Sequence, residues 1–247
     1  MHLFVEGDLH PADMAWCACL TKEQYKNLCL EYRQYANAFD ENITTWKDYI
    51  ILAYTKIEHM EQELFHRLES HEVYDGQVGR ELFCELHKSR WEKFGQEASG
   101  ITIFECALLQ NHINELLLFH GASEKEILHY IKALVDTVTE LKPIMIYLDV
   151  DTKASIQRAA EERVDENGNR VWENFVTEYI SNTPYGKKQQ LSGVDGMNCY
   201  FDHRKRLELK LLEQFPIGNY VIPINTGNQD ERADQLIEML LRQIGLV

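Results

Sequence analysis

Four short runs of apolar, β-branched and aromatic residues stand out along the chain: Leu3 to Glu6, Ile101 to Cys106, Ile144 to Asp149 and Tyr220 to Asn225. Each is nearly continuous in apolar side chains and is separated from the next by helical periodicity rather than by a tight turn. That is the pattern of parallel strands covered by helices on both faces. The expected fold is α/β, a doubly wound and mainly parallel sheet in one domain over residues 1–247. A long helical insert, about residues 22–98, is expected between the first two strands. Within it Ile50, Ala53, Ile57, Met60 and Leu64 recur at helical spacing, so Trp46 to Ser70 and Val78 to Phe94 are expected to be helices. The insert either packs its own aromatic residues or acts as a lid whose Trp46, Tyr49, Tyr54, Trp91 and Phe94 line an apolar pocket.

Downstream, Ala107 to Phe119 and Ser123 to Leu141 read as two helices. Gly121 is placed to end the first, and Ser123 with Glu126 forms a capping box for the second. Pro143 stops that helix and opens the next strand. Thr152 is expected to cap a helix running to Arg163, which begins a lid region over about residues 152–200. Asn182 to Gly196 reads as loop, Arg204 to Phe215 as helix, and Gln229 to Ile244 as a closing amphipathic helix.

Composition narrows the function. A formal net charge of -15 argues against binding nucleic acid, because an acidic surface gains little from displacing counterions. The local exception is the cluster Lys187, Lys188, Arg204, Lys205, Arg206 and Lys210, where phosphate would be sought. The six cysteines show no framework spacing and are expected to be buried and reduced. No residue is assigned as a metal ligand. Cys17 and Cys19 lack a second ligand pair, and Asp165 to Arg170 has its glycine at the wrong position for a calcium loop. With no apolar run of membrane-spanning length and no leader, a soluble cytoplasmic protein is expected, with no membrane partner.

The segment with the most chemistry is Ile144 to Asp151, a strand ending in acid that feeds a helix carrying Arg158 and Arg163. Guanidinium groups at that spacing suit the equatorial oxygens of a transferred phosphoryl group, or they pair with Glu161 or Glu162. Tyr147-Leu148-Asp149 with these arginines resembles the P-loop nucleoside and nucleotide kinases, in particular thymidylate kinase and deoxynucleoside kinase-like proteins. Phe4 to Asp8 resembles that family's strand ending near the acceptor hydroxyl, and Ile101 to Glu105 its next acid-ended strand. Val221 to Gly227 resembles its last strand and the loop beside the adenine.

The resemblance implies catalytic roles for Glu6, Asp8, Arg158 and Arg163, acceptor contacts from Glu105, Gln110 and Asn111, and nucleotide contacts from Thr226 and Gly227. It also implies ATP with Mg2+ as cofactors and a small acceptor, a nucleoside or nucleotide, as the partner. Self-association stays open. Two departures stand against this pattern. Cys106 occupies the place of an arginine that follows the acid in many deoxynucleoside kinases, and no Gly-x-x-x-x-Gly-Lys-[Ser/Thr] loop occurs anywhere. The expectation is therefore a kinase-like phosphotransferase that is truncated and inactive as this chain. Its first, central strand would be missing, leaving a gap between the strands at 101–106 and 144–149, with Met1 as an internal start. The alternatives are a degenerate kinase fold kept for binding or regulation, and a mainly structural helical protein whose aromatic insert docks a partner.

Overall fold

The computed structural model describes residues 1–5 and 7–224, together with 238, 241 and 242. The chain opens with β1 (His2–Phe4), β2 (Ala18–Thr21) and α1 (Lys22–Glu31), followed by α2 (Ala36–Glu41), β3 (Ile43–Trp46), β4 (Tyr49–Leu52) and α3 (Gln62–Glu69). Next come α4 (Arg80–Glu97), β5 (Thr102–Phe104), α5 (Gln110–Leu118), α6 (Glu124–Val138) and β6 (Ile144–Val150). The last described elements are α7 (Thr152–Glu162), α8 (Val171–Asn182), α9 (Pro184–Gln189), α10 (Gly193–Leu212) and β7 (Gly218–Ile224).

The molecule is mixed α/β with small parallel sheets, and each of the four runs read as strands contains strand residues. Among the described residues they form two separate parallel pairs rather than one sheet. Strand β1 pairs with β5, placing Phe4 opposite Phe104, and β6 pairs with β7, placing Tyr147 opposite Val221. Between the pairs, apolar side chains that a continuous sheet flanked by helices would bury are left in water. Leu3, Ile103, Ile146 and Leu148 are 58%, 44%, 42% and 52% exposed.

The insert is the main correction. Ile43-Thr44-Thr45-Trp46 and Tyr49-Ile50-Ile51-Leu52 form an antiparallel hairpin, β3 and β4, and β2 adds to its other edge. These residues are β-branched or aromatic and fit a pleated surface better than a helix. Lys47, at φ 49°, and Asp48 turn the chain between the strands. The spacing of Ile50, Ala53, Ile57 and Leu64 was helical by coincidence: it spans a strand, a 3-10 turn and the start of α3. Around this sheet a small core gathers Leu20, Phe39, Leu52, Tyr54, Leu64 and Leu68. Tyr54 and Trp91 are buried, Trp46 stacks with Tyr49, and Phe94 packs on Phe104. These aromatic residues are thus taken up in packing.

In the second half the Ser123–Glu126 capping box starts α6 with both of its reciprocal hydrogen bonds. Asp151 rather than Thr152 caps α7, its carboxylate accepting from Ala154 N–H at 2.9 Å. The stretch read as loop contains α9 and the first turn of α10. The helix expected over Gln229 to Ile244 lies largely outside the described residues. The six cysteines are free, but only Cys17 and Cys19 are buried, and Cys199 is exposed. Burial pushes the Cys17 thiol up to about 12 and the Cys19 thiol up to about 11, so both stay protonated at neutral pH.

Helices α4 and α6 pack against each other through Gly95. A Cβ added there would sit 2.3 Å from the Thr137 carbonyl oxygen. Gly95→Ala is therefore expected to force the two helices apart and to cost about 1–3 kcal/mol in urea denaturation. A loss below a few tenths of a kcal/mol would show that this close approach is not needed.

Candidate functional site: a buried carboxylate and histidine cluster

The parallel pair β1–β5 positions the centre of the site. The ring of His10 packs 5.5 Å from Phe4 and 4.0 Å from Phe104, which anchors the loop leaving β1 to the carboxyl ends of both strands. Nδ1 of His10 accepts N–H hydrogen bonds from Ala12 (3.0 Å) and Asp13 (2.7 Å), and Arg90 donates to the His10 carbonyl at 3.0 Å. A ring nitrogen that accepts twice is unprotonated. Burial also pushes the His10 imidazole down to about 4, so it stays neutral at neutral pH. The loop so folded turns the Asp13 carboxylate inward.

Asp13 meets three elements there. Asn111 of α5 donates to its Oδ2 at 2.8 Å, and the Tyr74 hydroxyl and His87 Nε2 of α4 both approach its Oδ1, the latter at 3.2 Å. The Tyr74 hydroxyl also lies 3.1 Å from His87 Nε2. His112 of α5 completes the group, its ring centroid 4.5 Å from that of His87. One ligand atom each from Asp13, His87 and His112 lies within 4.8 Å of the others, and all three residues are buried. Burial favours raising the Asp13 carboxyl, but the hydrogen bonds from His87 and Tyr74 and the nearby histidines outweigh it and hold it well below the usual carboxylate range. Burial, then the neighbouring His87, pushes His112 well below its ordinary value, so its ring is neutral. Burial and Asp13 hold the Tyr74 phenol well above its own.

Counting protons shows what is unusual. Nδ1 of His87 faces the Phe83 carbonyl at 3.0 Å, and a carbonyl only accepts, so Nδ1 carries the proton. Nε2 then faces Asp13 Oδ1, and the Tyr74 hydroxyl lies against both. Nε2 of His112 is buried with no hydrogen-bond partner. Among the described residues that buried nitrogen is left unsatisfied.

A second carboxylate supports the first. Glu115 is buried on α5 and accepts N–H bonds from Asp75 (2.8 Å) and Gly76 (3.0 Å), with His120 Nε2 2.8 Å from its Oε1. Asp75 and Gly76 both have positive φ, so this carboxylate pins the turn that follows Tyr74. Glu72, also buried, accepts from Cys17 N–H at 3.0 Å, and burial pushes its carboxyl up to about 8. Because the folded value lies above the ordinary 4.5, stability from this group is full below about pH 4.5 and is lost as pH rises toward 8. Glu72→Gln is expected to flatten that loss, by up to roughly 1.4 kcal/mol per pH unit, when urea unfolding is compared at pH 5 and pH 8. Equal slopes in variant and wild type would contradict it.

The residues singled out from the sequence are spread more widely. Asp8 is exposed and closes its own turn, its carboxylate accepting from Val5 N–H at 2.9 Å. Arg158 is paired with Glu162 at 3.9 Å, and the Arg163 guanidinium lies 5.3 Å from the Trp172 ring centroid. Glu105 follows β5 and donates its backbone N–H to Phe4 at 3.0 Å, while Gln110 sits half-buried at the start of α5. Asn111 is the one candidate that enters the cluster. Glu6, Thr226 and Gly227 lie outside the described residues. Half of the late basic cluster is matched by acid: Lys205 with Asp149 at 2.5 Å, Arg204 with Glu208 at 3.2 Å and Lys210 with Glu124 at 2.8 Å. Asp13, His87 and His112 carried no sequence signal, since they stand far apart and outside any ligand-spacing motif. The only hint was Asn111-His112 following an acid-ended strand.

Comparison with protein families, curated proteins and solved structures finds no match to this chain. Among the described residues no helix is long and apolar enough to cross a membrane.

Proposed function

We propose that this chain is a binding domain of the nucleoside and nucleotide kinase-like class, which takes a small acceptor near the carboxyl ends of β1 and β5 and does not transfer phosphoryl groups unaided. The observation that carries this reading is the Asn111 to Asp13 hydrogen bond of 2.8 Å, which joins the segments leaving two parallel strands at one end. Ligands of open α/β sheets bind beyond the carboxyl ends of their strands. The doubly wound sheet that the resemblance implies requires the two parallel pairs to be its flanks. Their exposed apolar side chains, Ile103 on one and Ile146 and Leu148 on the other, are ones that a continuous sheet flanked by helices would bury.

ATP and Mg2+ do not find a cradle among the described residues. Lys205 and Arg204 are held by Asp149 and Glu208, Arg158 by Glu162, and the chain has no glycine-rich phosphate loop. Binding, as opposed to turnover, is the reading that this internal pairing favours. Thermal unfolding with nucleosides, nucleoside monophosphates and ATP with Mg2+, each at millimolar concentration, tests it. A raised midpoint with at least one acceptor, and no ATP hydrolysis above the no-protein control, is expected. No shift with any acceptor would contradict the proposal, as would hydrolysis by the purified chain.

A further inference from the structure

We propose that Asp13, His87 and His112 form a site for one first-row divalent transition ion of the zinc class, which clips the loop after β1 to helices α4 and α5. The donor set is two imidazoles and one carboxylate, which suits zinc and its neighbours rather than calcium or magnesium. Three observations point to an ion and not only to a polar core. His87 Nε2 and Asp13 Oδ1 face each other at 3.2 Å. Ligand atoms around a tetrahedral ion with bonds of about 2.0–2.1 Å stand roughly that far apart. His112 Nε2 is fully buried and has no hydrogen-bond partner, which a proton on His87 would not remedy. The surroundings are those of a supported metal site: Nδ1 of His87 is fixed by the Phe83 carbonyl, and Oδ2 of Asp13 is held by Asn111.

The three ligands come from positions 13, 87 and 112, so an ion would close two long chain segments at once. All three residues are buried. A closed site of this kind holds structure and offers no path for substrate to the ion. The inference does not depend on the acceptor-binding proposal, and either can fail alone.

The test uses the intact chain, stripped with chelator and then dialysed against Zn2+ or Co2+ at one equivalent and in excess. The variant is His112→Phe, which keeps a ring at the site and removes the unpartnered nitrogen. Expected for wild type are one ion per chain by elemental analysis, a raised thermal midpoint, and visible Co2+ bands of low-symmetry coordination. His112→Phe is expected to keep the far-ultraviolet spectrum and apo midpoint of the stripped wild type while losing the ion and the shift. His87→Gln, measured in the same way, should also lose the ion. The proposal is overturned if stripped wild type takes up no stoichiometric ion. It is equally overturned if both variants bind as wild type does, which would assign the ion to thiols or surface groups.

Discussion

Asp13→Ala is expected to lower the free energy of unfolding by about 3–5 kcal/mol, the scale for removing a buried carboxylate and leaving its polar partners behind. For a chain of this size that corresponds to a fall of roughly 10 °C in the thermal midpoint. The carboxylate is buried and is approached by three groups from distant parts of the chain, Tyr74, His87 and Asn111. Alanine leaves all of them facing a space with no acceptor. It also frees the loop after β1 from α4 and α5, so the loss falls on tertiary structure rather than on one element. Asp13→Asn keeps the shape and one acceptor oxygen and should cost less. Urea denaturation of both variants provides the comparison. A loss below about 1 kcal/mol for alanine would show that the cluster does not hold these elements together.

The second large effect is expected at Glu115. Its two oxygens serve the backbone N–H groups of Asp75 and Gly76, and His120 lies beside them. Glu115→Ala removes the acceptor of both N–H groups at a turn where Asp75 already holds a positive φ. About 3 kcal/mol of destabilisation follows, from two backbone donors left unsatisfied at roughly 1–3 kcal/mol each. Because the turn carries Tyr74 on one side, the variant should also speed amide exchange through residues 73–79 well before global unfolding. Unchanged exchange there would mean that the turn is held by its own conformation and not by the carboxylate.

How much of this was legible in the sequence follows from which interactions are local. The capping box at Ser123 and Glu126 and the strands near 103, 146 and 221 depend on neighbouring residues and could be read directly. The hairpin at Ile43 to Leu52 was read as helix because its apolar spacing continued in phase into α3, while its β-branched content and the turn at Lys47 and Asp48 were the better signals. The two parallel pairs are separate sheets among the described residues, where the sequence led to the expectation of one sheet with a central gap. The site was the least legible part. Asp13, His87 and His112 meet because Phe4 and Phe104 seat His10, and because α4 and α5 bring the His87 and His112 rings together. No spacing along the chain encodes that encounter. Asn111 was singled out as an acceptor contact, and in the structure its amide is spent on Asp13.

The central claim is that the segments leaving β1 and β5 form one binding centre. It is tested most directly by hydrogen exchange with and without whichever nucleoside or nucleoside monophosphate gives the largest thermal shift. Slowed exchange concentrated in residues 8–13 and 105–112 is the predicted result. Protection confined to other parts of the chain, with these two segments unchanged, would contradict it.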